Sequence, residues 1–424
     1  MQLRIRSSDV SAPGVNDILL DALDAPMAGP DASGKNLPNE PPLVIEGARI
    51  YPAPHEPCIE NGSLLIQDGR VAALGEDVPV PAGARVIPGK GRAVTAGFWN
   101  AHVHFTEPKW RSVARASSAE VDANLADMLT SHGFTTVVDT GSDPRVTFRL
   151  RERIESGEVR GPRVYTSGPG MYPPRGIPYY LRGTIPFWLA PFVPQPRSAG
   201  AARRGVSRNI ARGADLIKLF TGSYVARGTV KTMPLEIARA AVSEAHAHGR
   251  LVYSHASNFA GTRIATEAGV DVLAHPPDSA GGIDDAVLRS MVDRRMSMTP
   301  TLKMFADTAS SSPTYLAPIY EVVRRFRELG GGLLFGTDVG YLTDYGTVDE
   351  YRALSRCGLD PPSILRMLTT APAARFGVAA TAGEVRLGRP ADLVVLDGDP
   401  MADVDAFSRV RATIRQGRVV FLLP

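Results

Sequence analysis

Val94-Thr-Ala-Gly-Phe-Trp-Asn-Ala-His-Val-His-Phe105 is an almost unbroken apolar run that closes on a His-x-His pair. Such a run, bounded by polar residues and rich in aromatic and β-branched side chains, reads as a buried strand. On a strand, residues two apart point to the same face, so His102 and His104 can reach one metal ion together. Seven more apolar runs follow, at 135–140, 163–167, 216–221, 251–256, 272–276, 297–302 and 333–338. Amphipathic stretches separate them, among them 119–132, 234–248 and 284–295. Eight strands alternating with helices favour a closed (β/α)8 TIM-like barrel over an open sheet, with 95–375 as the catalytic barrel.

Polar residues at the strand ends carry the chemistry. Lys218 interrupts the fourth run in Asp-Leu-Ile-Lys-Leu-Phe, His255 ends the fifth, His275 the sixth and Asp338 the eighth. Barrel enzymes build their sites at the C-terminal ends of strands, so these groups and the His-x-His pair converge on one mouth. Singly, each has an ordinary reading: a lysine can snorkel to water, and an aspartate can open a turn. Their joint placement favours a site. His246-Ala-His248 has the same spelling but lies at the end of a helical pattern. There, residues two apart diverge by about 200° and cannot share an ion. His132, before Gly133, reads as another helix-end histidine, and His55 falls in a loop.

The flanks differ in style. Residues 1–42 form an extension with helical spacing at Val15, Ile18, Leu19 and Leu23, then a Pro-rich linker. Short strand patterns with hairpin turns fill 43–94, and similar ones fill 376–424. The expectation is one small β-sandwich module in two parts, 43–94 and 376–424, built from both chain ends. A Pro- and aromatic-rich stretch, 168–197, follows the third strand on the catalytic side. It is expected to be a lid or pocket wall, with Arg175 or Arg182 available for a substrate carboxylate. Tyr224, six residues past Lys218, is placed to overhang the mouth and hydrogen-bond a substrate carbonyl.

Composition narrows the partners. The 424 residues carry a formal net charge of +3, with no uninterrupted basic cluster, so nucleic acid is set aside. No apolar run approaches the ~18 residues of a membrane span, and Met1–Asp9 lacks a signal-peptide core. With two cysteines, Cys58 and Cys357, the expectation is a cytoplasmic protein without a membrane partner, with room for a homo-oligomer. Gly-x-Ser-x-Gly and His-Glu-x-x-His are both absent.

The ordered pieces Ala96-Gly-Phe-Trp-Asn-Ala-His102-Val-His104, Gly213-Ala-Asp-Leu-Ile-Lys218, Ala268-Gly-Val-Asp-Val-Leu-Ala-His275 and Phe335-Gly-Thr-Asp338 resemble the amidohydrolase superfamily of metal-dependent hydrolases. So do the tail pieces Ala371-Pro-Ala-Ala-Arg-Phe-Gly377 and Gly388-Arg-Pro-Ala-Asp. The similar branch holds imidazolonepropionase-like and Xaa-Pro or Arg/Lys dipeptidase members, and the likeness spans about 43–424. The resemblance implies two divalent metal ions, zinc being the first choice among Zn, Mn, Fe and Co. His102, His104 and Asp338 would hold the first and His255 and His275 the second, with Lys218 carboxylated by CO2 and bridging both. It further implies attack by a metal-bound hydroxide on a C–N amide bond, with Asp338 shuttling the proton to the leaving amine. The implied substrate is a small-molecule or peptide-like amide, such as a dipeptide or N-acyl amino acid. A cyclic amide or amidine hydrolase or deaminase, a peptide natural-product processing enzyme, and an inactive scaffold are the competing readings.

Overall fold

The computed structural model describes residues 40–182 and 193–424. The expected helix and most of the linker in 1–42 lie outside them, as do Pro186-Phe-Trp and Pro191-Phe of the 168–197 stretch.

The middle of the chain is α/β. Eight strands run parallel in two sheets that follow chain order. The first sheet holds Phe98–Val103, Phe134–Asp139 and Arg163–Thr166. The second holds Leu216–Phe220, Leu251–His255, Val272–Leu273, Ser297–Met298 and Gly332–Leu333. Backbone hydrogen bonds cross both seams between these sheets. At one, Asp215 N–H donates to the Thr166 carbonyl at 2.8 Å and Met171 pairs with Leu219. At the other, Ala101 N–H reaches Phe335 O at 2.7 Å and His104 N–H reaches Val339 O at 2.8 Å.

Three of the strands, Val272–Leu273, Ser297–Met298 and Gly332–Leu333, are only two residues long, much shorter than their apolar runs. The 272–276 run pairs only at Val272–Leu273, because Pro276 and Pro277 have no N–H to extend the ladder. The run at 94–105 is divided: Arg92–Ala96 belongs to the other module and Phe98–Val103 to the parallel sheet. The break falls at Gly97, where a Cβ would lie 2.2 Å from Thr135 Oγ1, so the chain can pass there only without a side chain. The expected helix at 234–248 is Leu235–Ala247, with Pro234 at its N-cap and not inside its first turn.

Strands from both chain ends join in one eight-stranded sheet, whose order is Arg418–Leu422, Val410–Arg415, Leu393–Asp397, Arg92–Ala96, Leu43–Ile50, Ile59–Gln67 and Arg70–Gly75, with Arg85–Pro88 pairing the Leu43–Ile50 strand. The ladder is continuous where two facing sheets were expected. It curls around a core that includes Ile45, Leu64, Val94, Val395 and Ile414. Its hairpin turns meet, since a Cβ on Gly69 would lie 3.0 Å from the Gln416 carbonyl oxygen. The larger core under the parallel strands takes in Phe98, Phe134, Phe326, Phe335 and Tyr351. Burying each such side chain stabilises the fold by about 1.5–3 kcal/mol, which anchors the strand ends that carry the polar groups.

Candidate metal centre and its cavity

His102 and His104 sit at the C-terminal end of Phe98–Val103, and their Nε2 atoms lie 3.3 Å apart. Asp338 Oδ1 stands 3.3 Å from His102 Nε2 and 3.0 Å from His104 Nε2. These three ligand atoms lie within 4.8 Å of one another, a cluster compact enough for one cation. His275 lies beside them, with Nε2 3.8 Å from Asp338 Oδ2 and its ring 4.5 Å from that of His102. The His255 ring lies 4.9 Å from His275 and stacks on Phe220 at 5.1 Å. Lys218 Nζ lies 5.5 Å over the same Phe220 ring. All six residues line one cavity of about 1720 Å³.

The donor chemistry fits a metal. His102 Nδ1 is 2.9 Å from the Ala274 carbonyl, so that nitrogen carries the proton and Nε2 presents a lone pair to the cluster. His275 Nδ1 is likewise engaged by Thr301 Oγ1 at 2.7 Å. Asp338 Oδ1 and His104 Nδ1 are buried without a hydrogen-bond partner. Lone pairs gathered this closely need a shared cation to offset their repulsion and desolvation. Burial first, then the neighbouring Lys218 and histidines, pushes His102 and His275 well below the usual range; burial and Lys218 take His255 down to about 3. All three are therefore neutral and ligand-competent at pH 7. Burial also brings Lys218 down to about 7, against the opposing pull of Asp338 and Asp139.

Backbone strain collects here. Asp338 and Thr301 both occupy left-handed conformations, at φ 61° and 46°. These cost energy and persist where surrounding contacts impose them. One such contact is Asn100, whose Nδ2 donates to Thr337 Oγ1 at 2.7 Å while its Oδ1 accepts from the His102 and Thr337 amides. It ties the His-x-His strand to the Asp338 turn.

Sequence reasoning missed several residues at the site. Asp139 ends the second strand, is fully buried, and lies with Oδ1 4.0 Å from His104 Nδ1. Its carboxylate accepts from Ser142, Thr147 and Thr166. The rule that picked out Asp338, a polar residue ending an apolar strand, picks it out too. Tyr224 is on the cavity wall, in an unforeseen hairpin of Gly222–Ala226 and Thr229–Thr232, and is bonded to Asp278. Arg175 and Arg182 are exposed and do not line the cavity; among the described residues the arginines that do are Arg111, Arg197, Arg204, Arg208, Arg212 and Arg227. Of the 168–197 stretch, Tyr172, Tyr179, Tyr180 and Val193–Arg197 form part of the wall. The discounted histidines behave as helix-end groups: His246 pairs with Asp271 at 2.8 Å and His248 with Glu244 at 3.4 Å.

With this candidate cluster at the strand ends of an α/β core, the family match makes the chain a hydrolase acting on carbon–nitrogen bonds. The chain belongs to the amidohydrolase family, whose profile matches residues 93–420. It is 24% identical over 413 residues to the ochratoxinase of Aspergillus niger, covering 87% of this chain and 84% of that one. A Xaa-Pro dipeptidase structure with methionine in its active site superposes with a TM-score of 0.76 at 21% identity, over 89% of this chain and 99% of that one. A prolidase complexed with N-methylphosphonate-L-proline gives 0.73 at 23% identity, over 90% and 100%. No helix among the described residues is long and apolar enough to cross a membrane.

Proposed function

We propose that this protein hydrolyses the C–N amide bond of a peptide-like or N-acyl amino acid substrate. The observation that carries the reading is that His102, His104, Lys218, His255, His275 and Asp338 all line one cavity. On this reading the two parallel sheets are arcs of one closed (β/α)8 barrel, 95–375, supported by the backbone bonds across both seams. The curled end sheet, 43–94 with 376–424, is then the second module, built from both chain ends, and 1–42 an extension.

His102, His104 and Asp338 would hold one divalent ion and His255 and His275 a second, with Lys218 as a carbamate between them. Bound there, zinc or a similar ion lowers the pKa of water and polarises a carbonyl. The chain supplies the remaining functions. Depressed basicity at Lys218 makes the free amine, the form that reacts with CO2, available near neutral pH. Asp338 takes the proton of the attacking water and returns it to the departing nitrogen. Tyr224, whose phenol burial keeps protonated, donates a hydrogen bond at the cavity wall. A substrate carboxylate was expected to meet Arg175 or Arg182; Arg204 and Arg208, on the cavity wall, suit that role better.

The test is a mixed library of dipeptides and N-acyl amino acids incubated with zinc-loaded protein and read by mass spectrometry, with Asp338→Asn as the blank. Water addition to library members with the native enzyme alone supports the reading. No cleavage, with metal bound, sinks it.

A further inference from the structure

One carboxylate in the cavity wall has no place in the metal cluster. Asp278 lies just beyond His275 and lines the cavity. Its side chain is hydrogen-bonded to the Tyr224 hydroxyl, and among the described residues it has no Lys, Arg or His partner. Tyr180, Tyr224 and Tyr315 line the same wall, and each phenol feels the Asp278 charge. The Tyr315 hydroxyl is buried and has no hydrogen-bond partner. Tyr180 feels Asp338 as well, so one residue lies within electrostatic reach of both this wall and the metal cluster.

We propose that Asp278, with Tyr180, Tyr224 and Tyr315, forms a subsite for an ammonium group, so that the enzyme selects amides carrying a free amine. Asp278 is half-buried, and a partly desolvated carboxylate without a counter-charge carries a cost that a ligand cation offsets. An ammonium group brings three donors: one for Asp278, and the others for water and the Tyr224 hydroxyl. The aromatic faces add cation–π attraction. An N-acylated substrate has no positive charge at that nitrogen, and its acyl group stands where the ammonium would sit. The upward push that burial gives Asp278, to about 6, agrees with a carboxylate awaiting a cation. The proposal deepens the amide-hydrolase reading by choosing between its two substrate classes, free peptides and N-acyl amino acids.

Binding separates the two ideas. Zinc-loaded Asp338→Asn protein is titrated by calorimetry with alanyl-phenylalanine, leucyl-glycine and methionyl-proline, each free and N-acetylated. The free amines are expected to bind about ten- to a hundredfold more tightly, the range for one charge-assisted contact. Adding Asp278→Asn should remove that preference, and adding Asp278→Glu, which keeps the carboxylate, should retain most of it. Equal affinity for the two forms, binding of neither, or a preference that survives Asp278→Asn overturns the subsite. Native enzyme is then assayed on the same pairs. Cleavage of both forms at equal rates keeps the hydrolase reading and overturns the subsite. A free-amine binding preference without cleavage does the reverse.

Discussion

The carbonyl of His104 passes so close to Gly340 that a Cβ on residue 340 would lie 1.7 Å from the His104 oxygen. Gly340 also has φ +95° and accepts a hydrogen bond from Thr106 Oγ1 at 2.7 Å. The two backbones that carry the His-x-His pair and Asp338 are thus held in contact by the absence of a side chain. Gly340→Ala must push them apart, and catalytic geometry tolerates about 1 Å before rates fall ~10²-fold. The expected outcome is loss of bound metal and at least that drop in kcat. Gly249→Ala is the matched control, with φ +65° and nothing within 4 Å of its Cβ, and should keep its metal. Metal content by plasma mass spectrometry separates the two.

Asp338→Asn keeps the size and one acceptor oxygen of the native side chain, so partial metal binding through His102 and His104 is expected to survive. What it loses is a carboxylate able to take and return a proton. Proton transfer by a placed side chain contributes typically about 10²–10⁴ in rate. A fall of that size in kcat with metal still bound is expected, measured on whichever library member the native enzyme cleaves. A variant with native kcat refutes the shuttle.

Lys218 gives a prediction about the metal-free protein. Its folded pKa of about 7 lies below the usual 10.5. Between those values the unfolded chain binds more protons than the folded one, so stability rises with pH through that window. At or below pH 7 the burial penalty is present in full. Lys218→Met removes it, and chelator-treated variant should melt several degrees above native protein at pH 7. The gap should narrow as pH climbs toward 10. On the proposed reading the same variant should also hold less zinc, because it lacks the amine that would form the carbamate. A gap that does not change with pH would show that Lys218 is not a desolvated amine.

Legibility of the site followed from two short-range rules. Strand alternation put His102 and His104 on one face, the strand-end rule collected His255, His275 and Asp338, and Lys218 stood out as a charge inside an apolar run. Neither rule needs knowledge of distant contacts. Asp139 obeys the second rule and was readable by it. The Tyr224–Asp278 pairing was not, because it joins a hairpin after one strand to a loop after another. Gly97 looked like a minor interruption of an apolar run. Only the position of Thr135 reveals it as the point where the chain leaves one module for the other. The arginines erred for a related reason. Arg175 and Arg182 lie in the expected wall segment, yet that segment lines the cavity with Tyr179, Tyr180 and Arg197 and leaves those two side chains outward.

Glu350 gives a pH test away from the metal cluster. It is wholly buried; one oxygen accepts from the Lys303 amide at 2.7 Å and the other has no partner. Burial pushes its carboxyl up to about 7 from the ordinary 4.5. Between those values the folded protein binds more protons than the unfolded chain, so its contribution to stability falls as pH rises through the window. Above pH 7 the penalty is complete, on the order of 3–4 kcal/mol by the linkage of about 1.4 kcal/mol per unit. Glu350→Gln keeps the acceptor for Lys303 and never ionises. It should therefore raise Tm by several degrees at pH 8 and leave it almost unchanged near pH 4.5, below the window. Thermal melts of the two proteins from pH 4.5 to 8 check this. Parallel curves across that range would mean that Glu350 ionises in the fold as freely as it does in water.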